Sequence, residues 1–308
     1  MGDIFGIIIV RPLGMLLNLI YDGVQSYGLA IILFALLVKL VILPVSYHGK
    51  KNMLRMSALQ SKVQQIQKKY ANNKAKMNEE MSKLYEKEGV SPMSGCLPTF
   101  IPLVIMMGLY YAVVKPLNFM LGLSGGLPTD VGEDINLLAN QVGIEITKQN
   151  AYTIQSQIAQ ACNQFFSPDG TLDPKIAALS DGIKNLLRPL NFNFFGLDLS
   201  VKPTLSFSIL ILIPLLSGFS AFMSSWIIQK MQKNQVQGSM KTMIYLMPLM
   251  SIYFAFQFPA AIGIYWIFNN VFTCVQEVVM TKIIRKRHLV NEDDPADAKQ
   301  KKKKKGDA

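Results

Sequence analysis

Lys39 is the residue best placed to do chemistry in this chain. It stands about twelve residues into an unbroken apolar run, YGLAIILFALLVKLVILPVSY, from Tyr27 to Tyr47. A cation near the centre of a bilayer costs about 2.5–3.5 kcal/mol on insertion scales, so a charge at that depth reads first as functional. Snorkelling to the headgroups is the structural alternative. Eight residues of the run follow Lys39, about 12 Å of helix at ~1.5 Å per residue, a long reach for one side chain. No acid in the apolar runs could pair with it except Glu277, toward the end of the last one. A buried cation without a counter-ion needs water or polar groups around it. The runs supply Thr99, Ser217, Ser220, Gln257, Asn269 and Asn270, with Thr273 and Gln276 beyond them. Serines and threonines in membrane helices usually bond their own backbone or aid packing, so the individual hydroxyls carry little weight. Asn269 and Asn270 together, preceded by Tyr265 and Trp266, are a stronger signal. A cation facing a wet cavity inside a membrane attracts acidic groups and draws them partway across. That suits a device that helps hydrophilic segments enter the bilayer, and it suits an anion pathway.

Other chemistries find no footing. His48 and His288 are isolated, and there is no nucleophile motif and no nucleotide-binding glycine loop, so neither enzymatic activity nor a cofactor is expected. Cys96, Cys162 and Cys274 are far apart in no metal-like spacing, which supports neither a disulfide framework nor a metal site. Cys162 reads as a structural thiol.

The elements that must position Lys39 follow from hydropathy. Half of the 308 residues are hydrophobic, the mean hydropathy is +0.27 and 17% are charged, against about 25% in soluble domains. The charge deficit is concentrated in long apolar stretches, which places the chain in the membrane class. A span needs about 20 mostly apolar residues, and five such stretches are present. The expected order is an N-terminal interfacial helix (1–26), span 1 (27–47), a cytosolic helical hairpin (48–94), span 2 (95–117), an extracytoplasmic helical insert (118–205), span 3 (206–228), a cytosolic loop (229–241), span 4 (242–258), span 5 (259–280) and a basic cytosolic tail (281–308). Pro259 leaves only a tight turn between spans 4 and 5, which predicts that they form a helical hairpin.

Arg11 and Pro12 divide the apolar stretch from Ile4 to Tyr21 into pieces too short to cross, while Leu13, Leu16, Leu17 and Ile20 keep helical spacing. An amphipathic helix lying on the membrane is expected. A signal peptide fits less well, since no basic segment precedes the apolar part and no small-residue cleavage site follows it. The absence of a cysteine after this stretch argues against a lipid-anchored N-terminus.

Loop charges set the orientation. His48 to Ser94 holds ten Lys and Arg against four acids, whereas Pro116 to Pro203 holds five against eight. The N-terminus is therefore expected outside and the C-terminus in the cytosol. Met56, Leu59, Val63, Ile66 and Tyr70, then Met77, Met81 and Leu84 after a break at Asn72 and Asn73, step by three and four, as antiparallel coiled-coil-like helices do. In the outer segment, LSGGLPTDVGED reads as loop, with helices over Asn150–Phe166 and Pro174–Leu187 forming a cap on the outer leaflet. Lys282, Arg285, Lys286 and Arg287 open the tail, and Lys301, Lys302, Lys303, Lys304 and Lys305 nearly close it. Such runs attract anionic lipid headgroups or nucleic-acid phosphates.

In this order, the span with a central cation, the basic hairpin, LYEKEGVSPMSGCLP (Leu84 to Pro98) and IGIYWIFNN (Ile262 to Asn270) resemble the YidC family of bacterial membrane protein insertases. Leu84 to Pro98 carries the most specific part of the likeness, which covers about residues 20–117 and 204–285. The resemblance implies an all-α integral membrane protein, its five transmembrane helices arranged around a hydrophilic groove open to the cytosol and to lipid. It implies a groove cation that attracts the acidic outer tail of a nascent membrane protein, here at Lys39, and no cofactor. It also implies a hairpin needed for function and a basic tail that can help hold the ribosome. A groove open to lipid needs only one copy, so action as a monomer is expected, either alone or beside the general secretory channel. Three departures stand out. The family usually has Arg at the Lys39 position, so charge is kept and bidentate recognition of a carboxylate is lost. Pro102 and Val104 replace a Gln and a Pro after GCLP, which removes an amide from span 2 and leaves Thr99 as a weak substitute. The outer segment is longer than the family pattern. The runner-up reading is a small transporter or anion channel with Lys39 as substrate site, but the chain lacks the internal repeats common in transporters. A membrane scaffold that recruits cytosolic partners leaves Lys39 unexplained.

Overall fold

The computed structural model describes residues 2–89, 97–122, 133–146, 154–167, 171, 187–205, 208–231 and 239–292. The chain is an all-α integral membrane protein, with one two-stranded ribbon among the described residues. By length and composition, Gly6–Val24, Tyr27–Met56 and Ile209–Met231 can each cross a membrane, and Ile101–Val114 is a shorter apolar helix.

Helix α1 (Gly2–Phe5) runs through a π turn (Gly6–Val10) into α2 (Arg11–Val24). Arg11 and Pro12 therefore do not divide this stretch, contrary to the sequence expectation. Pro12 lies in the first turn of α2, and the helix passes through it by way of the π turn, with the Arg11 N–H bonding back to Gly6. Gln25, with φ +52°, ends α2. The helix packs close: Gly14 lies directly under the Phe119 carbonyl, and Phe5 meets Tyr111 edge-on with ring centroids 6.5 Å apart. Its other side leaves Ile4, Ile8 and Leu19 exposed.

Helix α3 (Tyr27–Lys69) carries span 1 into the first arm of the hairpin without interruption, so helix geometry marks no boundary at residue 47. After the turn at Tyr70–Asn73 comes α4 (Lys74–Glu88). Asn73 caps it, its Oδ1 accepting the Lys76 N–H at 3.0 Å, and Gly89 closes it in the left-handed region, the usual N-cap and C-cap chemistry. Leu59 and Val63 are buried, and Lys62 pairs with Glu88 at 2.8 Å across the arms. This hydrogen bond holds the Glu88 carboxyl below the usual carboxylate range.

Helix α5 (Leu97–Val114) is followed by the short α6 (Pro116–Phe119) and then the outer insert. The insert holds α7 (Glu133–Gln141), which begins within the stretch read as loop, and α8 (Ile154–Cys162), which runs on into a 3-10 turn (Asn163–Phe165) within the expected helix. The helix expected over Pro174–Leu187 lies outside the described residues, save Leu187. A hairpin of β1 (Asn193–Phe194) and β2 (Leu197–Asp198) was not expected at all. Phe195 (φ +52°) and Gly196 (φ +79°) turn it, and two positive φ values suit a two-residue hairpin loop. The insert is no separate unit: Ile135, Leu138, Ile158, Leu190, Phe192 and Leu199 share one core with Tyr27, Ile31 and Phe34 of α3.

Helices α9 (Leu212–Met231), α10 (Ser239–Gln257) and α11 (Ala260–Glu292) complete the chain. The tight turn at Pro259 is present, but α9 packs extensively against both α10 and α11, which touch each other little. Gly218 of α9 admits Ile252 of α10, and Gly263 of α11 admits Ile213 of α9. Small residues allow this close approach in membrane helices. The expected helical hairpin of the last two spans is thus a three-helix unit with α9 against both.

Candidate functional site: a polar cavity between two helices

Helices α3 and α11 pack together and enclose a cavity of about 440 Å³ between them. Val38, Lys39, Ile42, Ser46, Gly49, Lys50 and Met53 line it from α3, and Tyr265, Asn269, Asn270, Thr273, Gln276 and Glu277 from α11. Steps of three and four keep each set on one face of its helix. Pro102 and Ile228 complete the wall. Toward the 118–205 insert the core closes over it: Phe34 and Ile31 of α3 are fully buried, as is nearly all of Tyr265.

The Lys39 Nζ donates to Thr273 Oγ1 at 2.8 Å, and Thr273 Oγ1 donates to the Asn269 carbonyl at 2.6 Å. Among the described residues Lys39 makes no ion pair. Its neighbours Leu36, Leu37, Leu40 and Val41 are exposed apolar side chains, so the cation turns inward while the rest of the helix surface suits lipid. Lower in the cavity, Lys50 pairs with Glu277.

Of the residues singled out from sequence, Lys39, Tyr265, Asn269 and Asn270 meet on the cavity wall. Ser220 stands one step behind it, its Oγ accepting from Asn270 Nδ2 at 3.1 Å and donating to the Ser217 carbonyl at 2.9 Å. Ser217 is fully buried away from the cavity, and its hydroxyl has no partner among the described residues. Trp266 lies outside the wall, stacked on Phe254 at 6.3 Å. Gln257 is exposed at the end of α10, also outside it. Thr99 is on α5, but its side chain lies outside the described part. The same holds for the side chains of Arg285, Lys286 and Arg287 at the end of α11, whereas Lys282 is exposed. Lys301 to Lys305 are outside the described residues. Cys162 is buried in the outer insert, which pushes its thiol up to about 12.

Sequence reasoning missed Ser46, which fell inside span 1 without being singled out, and Lys50, which it counted among loop charges. The signal was there: Lys39, Ser46 and Lys50 are spaced by seven and four, so a helix running past residue 47 puts them on one face.

Fold and site together define an α-helical membrane protein with a cation-bearing polar cavity between two of its helices. The chain belongs to the 60Kd inner membrane protein family, whose family model matches residues 19–287. Its relatives include proteins named membrane protein insertase YidC. One from Chloroherpeton thalassium is 27% identical over 276 residues, 90% of this chain and 36% of that protein. One from Chlorobium phaeovibrioides is 26% identical over 283 residues, 92% of this chain and 38% of the relative. One from Nitratidesulfovibrio vulgaris is 41% identical over 110 residues, 36% of this chain and 21% of the relative. The chain spans little more than a third of the length of the relatives it matches most fully. The family and the apolar helices make it a bacterial membrane protein.

Proposed function

We propose that the chain is a membrane protein insertase and chaperone that draws hydrophilic segments of nascent membrane proteins into the α3–α11 cavity and releases their helices into lipid. One observation carries this reading: Lys39 faces a polar cavity with a neutral hydroxyl as its hydrogen-bond partner. Such a cation keeps most of its attraction for an incoming carboxylate. The names of the relatives support the same task. Lys39, Asn269, Asn270 and Tyr265 would contact the substrate, with Ser220 positioning Asn270. Water in the cavity would shorten the hydrophobic path for an acidic tail, and apolar partition would then move the helix outward past the exposed Leu40 and Val41.

In this reading the five spans and the segments between them keep the boundaries given above, with the N-terminus outside and the C-terminus in the cytosol. Helices α1 and α2 take the interfacial place outside, and they contact Gly108, near the middle of span 2, Ala112, and Phe119 just past it. The basic tail engages the ribosome or anionic lipid, no cofactor takes part, and one copy suffices. The test is complementation in cells depleted of their own insertase, using a single-span substrate with an acidic tail. Lys39→Arg is expected to sustain insertion, and Lys39→Ala to reduce it about tenfold, the equivalent of one buried charge–charge contact. Normal insertion with Lys39→Glu would overturn the proposal.

A further inference from the structure

The cavity holds a second cation, whose partner is an acid of the protein itself. Lys50 lies eleven residues after Lys39 on α3, three turns along at ~3.6 residues per turn and so on the same face, about 16 Å lower. Its side chain is 3% exposed and it pairs with Glu277 of α11, whose side chain is 21% exposed. Ser46 lies between the two lysines, and Gln276 stands beside the acid. Two cations and one carboxylate leave this wall with a net positive charge.

The acid is the more solvent-reachable member of the pair, and the lysine is held in the wall. We infer that Lys50–Glu277 is an exchangeable latch, in which a carboxylate of the substrate displaces Glu277 from Lys50 on its way to Lys39. Glu277 stands in for the substrate carboxylate while the cavity is empty, so Lys50 is never left as a buried, unpaired charge, the costly state. An acidic tail exchanges one carboxylate for another on Lys50 and then meets Lys39, which makes no ion pair among the described residues. A tail without acids has nothing to exchange and leaves the latch closed. The latch thereby becomes a specificity element for acidic hydrophilic segments. It rests on the insertase reading and deepens it.

The experiment uses the full chain with a photo-crosslinking residue at Ser46, expressed in insertase-depleted cells. The probe is a single-span test protein whose outer tail carries two aspartates, compared with its asparagine counterpart. Glu277→Gln removes the competing charge but can still accept from Lys50. It is expected to raise adducts of the aspartate form about fivefold, the scale of one partly hydrated ion pair, and to leave the asparagine form unchanged. Adding Lys50→Met, which leaves no buried charge behind, should return the aspartate form to the parent level or below. If Glu277→Gln does not accumulate, the double variant alone decides, and its preference for aspartate over asparagine must fall below the parent's. An equal change for both probes, or none for the aspartate form, overturns the latch and makes the pair a structural tie between α3 and α11. Parallel Lys39 variants separate the two levels. Impaired insertion with Lys39→Ala but no response to Glu277→Gln sinks the latch alone, whereas normal insertion with Lys39→Glu sinks the groove reading and the latch with it.

Discussion

Lys39 and Ser217 show how differently polar residues in membrane helices can be used. Lys39 turns from a lipid-facing surface into a cavity and bonds Thr273. Ser217 is fully buried with its hydroxyl unpartnered among the described residues. A buried hydroxyl without a partner costs about 1–3 kcal/mol, so Ser217→Ala is expected to be neutral or to raise the thermal midpoint of the detergent-solubilised protein. A fall of several degrees would mean that the hydroxyl has a partner in the working protein. The same comparison explains what was legible residue by residue. A cation amid apolar neighbours announces itself, because the bilayer offers it no cheap alternative. A serine does not, since its own helix can satisfy it, and Ser217, Gln257 and Trp266 proved to lie off the cavity wall.

At the scale of elements, close helix contacts hold the insert's end of the molecule together. Gly14 of α2 has the Phe119 carbonyl directly over it, and Gly28 at the start of α3 has the Phe194 ring over it. Any Cβ at Gly14 meets backbone, which cannot step aside. Gly14→Leu is expected to cost about 1–3 kcal/mol, the usual penalty of overpacking, read as a lower thermal midpoint, whereas Gly23→Leu should be tolerated because nothing lies within 4 Å of that site. Equal loss for both would contradict the packing described. The apolar periodicity over residues 56–84 identified α3 and α4 because each arm is long and its stripe regular. The β1–β2 ribbon escaped notice for the opposite reason. It has two residues per strand, and its turn is Phe195–Gly196 rather than the Asn–Gly that marks such turns. The break expected at Pro12 failed because the helix passes through the proline by way of a π turn, with the Arg11 N–H bonding back to Gly6. Lys50 was overlooked because α3 does not stop where its apolar run stops.

At the scale of the molecule, the 118–205 insert and the membrane helices form one body. The backbone N–H groups of Ala260 and Ala261 at the start of α11 donate to Val201 and Leu199 at 2.9 Å each, so the insert caps a helix end that would otherwise leave its donors unsatisfied. The hydroxyl of Tyr21 ties α2 to the same insert, donating to the Pro189 carbonyl at 3.1 Å and accepting the Asn191 N–H at 2.9 Å. The cavity is thus closed over on the insert's side, and on the other side it runs down to Lys50, Met53 and Glu277, toward the charged hairpin. In the proposed topology the basic tail extends the charge of that side. Deleting residues after Arg287 is expected to weaken ribosome co-sedimentation and to reduce its salt sensitivity, as the loss of phosphate contacts does. Unchanged co-sedimentation would leave anionic lipid as the tail's partner.

The most direct measurement is site-specific crosslinking to a nascent single-span protein arrested during its insertion. With the photoreactive residue at Asn270, on the cavity wall, adducts to the substrate's acidic tail are expected, and they should be lost when Lys39 is replaced by Glu. Insertion that proceeds with no adduct from Asn270 would contradict a substrate path through the cavity between α3 and α11.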